Sequence, residues 1–207
     1  MRSPRITHLS NRYRVRSVKT DIDSIMPALT GNGVHDQLQR YLRQQNTIDS
    51  KWMVERRLCA VIDGVRVSGR FDAMYDKKIL YDIKVTKAYK ILKGDTTEWE
   101  EQLNAYDYML WKDGIDVSSL NICSVISDWN KGETWMTEYP DTRLSIIPIQ
   151  RWDRARQKLW LETRVGLWKS SKDLADDDLP LCTPKERWAN ATIYKLFRTP
   201  GLKRDGS

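Results

Sequence analysis

Cysteine is scarce in this chain and badly placed for most of its uses. The 207 residues carry three, Cys59, Cys123 and Cys182. They lie far apart, form no CxxC pair, and their odd number argues against a disulfide framework. A reducing intracellular compartment and no zinc ribbon are the expectations. No apolar run is long enough to span a bilayer, so no membrane partner is expected. The N-terminus lacks the apolar h-region of a secretory signal. Internal repeats and low-complexity tracts are also missing, and acidic residues are absent from the first twenty positions. That stretch holds Arg2, Arg5, Arg12, Arg14, Arg16 and Lys19. Such a basic end either touches phosphates or forms a solvated tail. Its composition is also that of an organelle transit peptide, although a helix over 30–44 follows it without any linker-like break.

What is present fits a globular protein: 40% hydrophobic and 30% charged residues, with a net charge of +7. A positive balance is compatible with a nucleic-acid partner without proving one. The length suits one domain, residues 1–207, made of a basic segment at 1–20, a core at 30–114, and a C-terminal hairpin, long helix and tail at 115–207.

Periodicity supplies the elements. Residues 21–29 predict a short helical turn, and a helix starts near Thr30, with Val34, Leu38, Tyr41 and Leu42 at helical spacing and His35 on the side of Leu38 and Leu42. "WMVERRLCAVI" predicts a strand. Asp63-Gly64 is a hairpin signal, "VRVSGRFDAMY" a second strand, Asp76-Lys77-Lys78 a turn, and "KILYDIKVT" a third strand. Thr97 and Glu100 have capping-box spacing ahead of a helix that ends near Gly114. "LNICSVISDW" and "ETWMTEY" predict a hairpin around Asn130-Lys131-Gly132, and an amphipathic helix follows at about 150–170. The sum is an α/β domain with a mixed sheet.

The third strand poses a chemical question. Side chains alternate along a strand, so Leu80, Asp82, Lys84 and Thr86 share a face. With the turn centred near Lys77, Asp72 falls opposite Asp82, and directly opposed Cβ atoms are only about 5 Å apart. Two carboxylates so placed repel unless a cation lies between them, and Mg²⁺ suits hard oxygen ligands. A solvated outer face with an Asp72–Lys84 ion pair remains open. Gly69 inside a strand marks a close approach by another group. Gln102 and Tyr106, spaced i and i+4, share a helix face; taken alone, one is a surface residue and the other a core aromatic. His35 alone is as readily a buried or capping histidine as a ligand. Glu55 is expected to pair with Arg57 at the surface, and Glu98, Glu100 and Glu101 are acids favoured by the helix dipole. Most of the nine tryptophans are expected in the core, with one or two free to stack on an unpaired DNA end.

"GNGVH" with His35, "GRFD" with Asp72, "DIK" with Asp82 and Lys84, and "QLNAY" with Gln102 and Tyr106 occur in the order found in the RecB-like branch of the PD-(D/E)xK nuclease superfamily. The chain resembles that branch over roughly residues 30 to 110, and within it the exonucleases of tailed bacteriophages; "CTPKERW" is a looser match. The resemblance implies a restriction-endonuclease-like core, a central mixed β-sheet flanked by helices. It implies phosphodiester hydrolysis of DNA, with His35, Asp72, Asp82 and the Ile83 carbonyl holding Mg²⁺ or Mn²⁺ and with Lys84 acting on the attacking water and the phosphate. Gln102 and Tyr106 would hold the strand or the lysine, and Arg70, Lys87, Lys90 and Lys93, with Arg154, Arg156, Lys158 and Arg164 of the late helix, would meet DNA without reading its sequence. An exonuclease of phage recombination or genome processing follows, in the cytoplasm of a host bacterium, with a phage single-strand annealing or binding protein as a further partner. A structure-specific endonuclease and a non-catalytic DNA-binding module are the alternatives. Some members of the branch carry an iron–sulfur cluster on four cysteines; three cysteines cannot supply it, so no cluster is expected.

Overall fold

The structure, a computed structural model, describes residues 3–13, 21–45, 51–184, 186, 187 and 189. Five strands form a mixed sheet in the order β1 (Trp52–Val54), β4 (Ala73–Tyr75), β5 (Ile79–Thr86), β6 (Ser119–Ile126) and β7 (Leu144–Ile149). β5 and β6 run parallel, and the other pairs are antiparallel. A separate hairpin joins β2 (Arg57–Ile62) to β3 (Val65–Arg70). Helices α1 (Pro4–Arg12), α2 (Ile22–Gln45), α3 (Ala88–Leu92), α4 (Thr97–Lys112) and α5 (Arg154–Ser171) flank the sheets. This is the expected mixed α/β core. Among the described residues no helix is long and apolar enough to cross a membrane.

Parallel strands need a crossover rather than a tight turn, and α3 and α4 supply it between β5 and β6. Leu103, Met109 and Leu110 of α4 bury against Leu80 of β5 and Leu120 and Ile122 of β6. Leu58, Phe71 and Met74 complete that core from the other strands. Each of these side chains contributes about 1.5–3 kcal/mol of burial. β6 follows strict alternation, with Leu120, Ile122, Ser124 and Ile126 all inward.

Several elements differ from expectation. The helix does not start at Thr30. α2 begins at Ile22 and runs through Pro27 and both glycines of "GNG". A proline removes one intrahelical bond, yet the helix runs through Pro27 with Ile22, Met26 and Leu29 exposed, so its docking on β1 and β5 does not explain the added turns. "WMVERRLCAVI" divides at Glu55, whose φ of 55° turns the chain from β1 into β2. "VRVSGRFDAMY" divides into β3 and β4, and Asp72 lies in the break. The capping box does not form: Asp95 accepts from Thr97 N at 3.2 Å, and Glu100 accepts from the Trp152 indole instead. "ETWMTEY" is not a strand. The partner of β6 is β7, which carries Pro148 at the sheet edge, where proline is tolerated. The segment between them holds a 3₁₀ turn, Lys131–Glu133, capped by Asn130, and packs through Trp129 and Tyr139 on Ala88 and Ile126. Of the tryptophans in the described residues, only Trp99 and Trp152 are buried. Trp135 is 82% exposed.

The basic N-terminus is partly used internally. Arg5 donates to Leu179 O at 2.7 Å, and Arg12 pairs with Asp176 at 2.5 Å. Arg2, Arg14, Arg16 and Lys19 lie outside the described residues. On α5, Arg154 is likewise committed: with Arg151 and Gln157 it surrounds the buried Asp107, at 2.9, 2.7 and 2.7 Å. Breaking a buried ionic cluster by removing one partner strands the others. Asp107→Ala should therefore lower stability by about 2–4 kcal/mol. Asp116→Ala, which removes an exposed partner of the same arginines, should cost far less, because solvent screens that pair. Urea unfolding of both variants checks the contrast.

Candidate active site

The site begins where β4 stops. β4 pairs with β5 only from Tyr75↔Ile79 to Ala73↔Tyr81, so the next β5 groups on that side, Ile83 N–H and C=O, have no strand to meet. Asp72, the residue just before β4, takes no part in strand pairing but turns its carboxylate in: Oδ2 accepts from Ile83 N at 2.7 Å. The same register places Asp72 opposite Asp82, as the turn position predicted. α2 supplies the other partner. His35 Nε2 donates to Ile83 O at 2.8 Å and lies 3.3 Å from Asp72 Oδ2. His35 thus bonds a carbonyl, as a structural histidine does, but the carbonyl is the one that faces the two aspartates.

The second half lies on the α4 side. Asp82 is 2% exposed. Its Oδ1 accepts from Gln102 Nε2 at 3.0 Å, and its Oδ2 is 2.7 Å from Lys84 Nζ. Lys84 in turn donates to Gln102 Oε1 at 3.0 Å. Lys84 pairs with Asp82 rather than with Asp72, so the cross-strand ion pair considered from the sequence is not the one formed. The Lys84 contact is close but off the hydrogen-bond directions, and Asp82 Oδ2 is buried without a hydrogen-bond partner among the described residues. Gln102 Nε2 also reaches Tyr106 Oη at 3.1 Å. Gly69 explains why the tyrosine fits: a Cβ there would meet the Tyr106 ring at 2.5 Å. The glycine's close neighbour is this ring.

The electrostatics match the crowding. Burial, then the nearby Asp82 charge, pushes the Asp72 carboxyl up to about 6, against the pull of Ile83 N–H, His35 and Lys84. Burial also raises the Tyr106 phenol. Among the described residues no three His, Cys, Asp or Glu side chains already enclose one point. The donors nevertheless suit a divalent cation: two carboxylates that repel each other, a buried oxygen lacking a hydrogen bond, a backbone carbonyl and an imidazole. Their present contacts with Lys84 and with one another are what a cation would replace.

Other expected contacts are redistributed. Glu55 pairs with Arg43 at 2.5 Å and Arg70 at 3.3 Å, not with Arg57. Its backbone N–H bonds Asp72 O at 3.0 Å, so it braces the break from outside. Lys87 precedes α3 and is exposed. Lys90 is 4.0 Å from Asp95 and lies over the Trp99 ring. Arg156 stacks on Trp152, and Lys158 lies 3.6 Å from Glu162. Two residues of the site were missed in the sequence. Gln39 lies one helical turn beyond His35, a signal that spacing alone offered. Ser124 pairs in register with Lys84, and its hydroxyl is buried without a partner among the described residues. Its parity with Leu120, Ile122 and Ile126 was the available clue.

No family model and no curated protein matches the chain. Among solved structures it is similar to SSO0001, with a TM-score of 0.54 and 20% identity over 80% of this chain and 72% of that one, which is a likeness of fold. It aligns more loosely, with a TM-score of 0.45 and 10% identity, with a candidate exonuclease from Eubacterium rectale, over 70% of this chain and 55% of that one. That second likeness is too slight to bear on chemistry.

The raised Asp72 carboxyl has a sign that can be checked. Between its ordinary value of 3.8 and about 6, the unfolded chain ionises while the folded chain keeps the proton. Stability therefore falls as pH rises through that window. Asp72→Asn removes the buried charge and should stabilise the metal-free protein at pH 8, by on the order of 1–3 kcal/mol. At pH 4 it should change stability little. Denaturant melts at the two pH values measure the difference.

Proposed function

We propose that this protein is a metal-dependent deoxyribonuclease that hydrolyses phosphodiester bonds, acting from DNA ends. The observation that carries the proposal is the convergence on one strand break of Asp72, Asp82, Ile83 O and His35, with Lys84 beside them. This matches, residue by residue, the motifs through which the sequence resembles RecB-like nucleases. The supporting chemistry is general. A divalent ion polarises phosphoryl oxygens and lowers the pKa of a bound water. Asp72, Asp82, the Ile83 carbonyl and His35 would hold it. Mn²⁺ should serve at least as well as Mg²⁺, because imidazole prefers softer ions.

The chain's own groups do the rest. Lys84 places a positive charge beside Asp82, suited to stabilise charge that grows on the phosphate in the transition state. Gln102 holds that ammonium through Oε1 and Asp82 through Nε2, so it fixes the distance between them. Tyr106, seated over Gly69, fixes Gln102. Arg70, Lys87, Lys90 and Lys93 lie along the chain on either side of the site and suit the DNA backbone. An exonuclease of phage recombination or genome processing, working with a single-strand annealing or binding protein, is the fuller form of this proposal.

Linear and circular duplex DNA, each incubated with and without Mn²⁺ or Mg²⁺, test it. Linear DNA should be degraded only with the ion, and the closed circle should be spared. Cleavage of the circle would point to an endonuclease, and no cleavage of either to a binding module. Asp82→Ala and Lys84→Ala should each lower cleavage by at least about 10³-fold with the fold retained, and only Asp82→Ala should weaken ion binding. DNA affinity should fall steeply with salt and vary little among sequences. Replacing Lys87 and Lys93 with Gln should flatten the log–log salt slope by up to about 0.9 for each phosphate that is no longer neutralised.

A further inference from the structure

The His35 imidazole is held at both of its nitrogens. Nε2 is 2.8 Å from Ile83 O. A carbonyl only accepts, so Nε2 carries the ring proton. At the other edge, Nδ1 is 3.2 Å from Gln39 Nε2 and accepts from it. Gln39 is 4% exposed, so water does not compete for its amide. In this arrangement Nε2 offers no lone pair, and the same bond takes one of the two lone pairs of Ile83 O. Of the four groups that would hold the ion, the imidazole is therefore withdrawn and the carbonyl is partly engaged.

Building on the metal-dependent reading, we propose that Gln39 sets the tautomer of His35 and thereby switches these donors from paired to available. A glutamine amide presents a donor and an acceptor at almost the same place. Turned over, Gln39 accepts through Oε1 from Nδ1–H. The proton that leaves Nε2 is matched by one gained at Nδ1, so the ring's charge is unchanged. Nε2 is left with a lone pair beside Asp72 Oδ2, and Ile83 O is released by the same exchange. The far nitrogen of a ligating histidine commonly donates to such an acceptor, which fixes ring and tautomer. Gln39 is a positioning residue, because it acts through His35. Leucine at this place can neither donate nor accept, and glutamate can only accept.

Nitrogen-15 NMR of the imidazoles in the full chain tests this, since there are only two histidines and His35→Gln assigns them. In the metal-free protein His35 should show the Nε2–H form. With saturating Mg²⁺, which is diamagnetic, it should show the Nδ1–H form. Calorimetric titration with Mn²⁺ gives the second readout. Gln39→Leu should weaken binding by about 10-fold or more. Gln39→Glu should keep affinity within about 3-fold of the original and should move metal-free His35 away from the neutral Nε2–H form. An Nε2–H histidine at Mg²⁺ saturation would overturn the proposal. So would unchanged affinity in Gln39→Leu, or equal weakening in both variants with no change of tautomer, which is what a packing role predicts. If Asp82→Ala leaves the Mn²⁺ titration unchanged, the metal site itself fails, and that result is distinct from a tautomer that does not switch.

Discussion

Everything at the candidate site depends on β4 reaching no further than Ala73. A strand that continued through Asp72 to Phe71, which this register sets opposite Ile83, would pair with Ile83 and leave no opening. Because it stops at Ala73, the Ile83 amide and carbonyl must be satisfied by side chains, since buried backbone groups without partners are costly. Asp72 takes the N–H at 2.7 Å and His35 takes the C=O at 2.8 Å. The two contacts that heal the break are also the two that bring a carboxylate and an imidazole to the flank of Asp82. Structure and proposed chemistry share the same atoms.

The α4 side answers a different demand. Asp82 is almost fully buried and needs compensation for its lost hydration. Lys84 and Gln102 supply it, and Tyr106 holds Gln102 in place over a glycine that has no Cβ to obstruct the ring. Each partner is tied to the next, so the triad is preorganised. The compensation is incomplete. Asp82 Oδ2 has a cation nearby but no hydrogen bond in a good direction, and burial with the Asp82 charge pushes the Asp72 carboxyl up to about 6. Both features describe an acidic centre that favours an added positive charge.

The opposition of Asp72 and Asp82 was visible in the sequence because a tight turn fixes register and alternation fixes face. Gly69 was visible as a close approach, although only the structure identifies Tyr106 as the neighbour. Glu55 could not be placed, because its left-handed backbone bends β1 away from β2 and sends its carboxylate to Arg43 and Arg70. The partner of β6 was misassigned to "ETWMTEY" because local alternation says nothing about a strand that returns after a long segment. The internal commitment of Arg12 and Arg154 was hidden for a similar reason: Asp176 and Asp107 are distant in sequence. Long-range pairing is what a period of 2 or 3.6 residues cannot encode.

The most direct measurement is the anomalous signal from a crystal of the protein soaked in Mn²⁺. The account predicts one strong peak at the end of β4, bounded by Asp72, Asp82 and Ile83 O, with His35 Nε2 roughly 2.0–2.3 Å from it and Lys84 displaced from Asp82 Oδ2. A peak elsewhere, or no peak with His35 still bonded to Ile83 O and Lys84 still on Asp82 at saturating Mn²⁺, would contradict it.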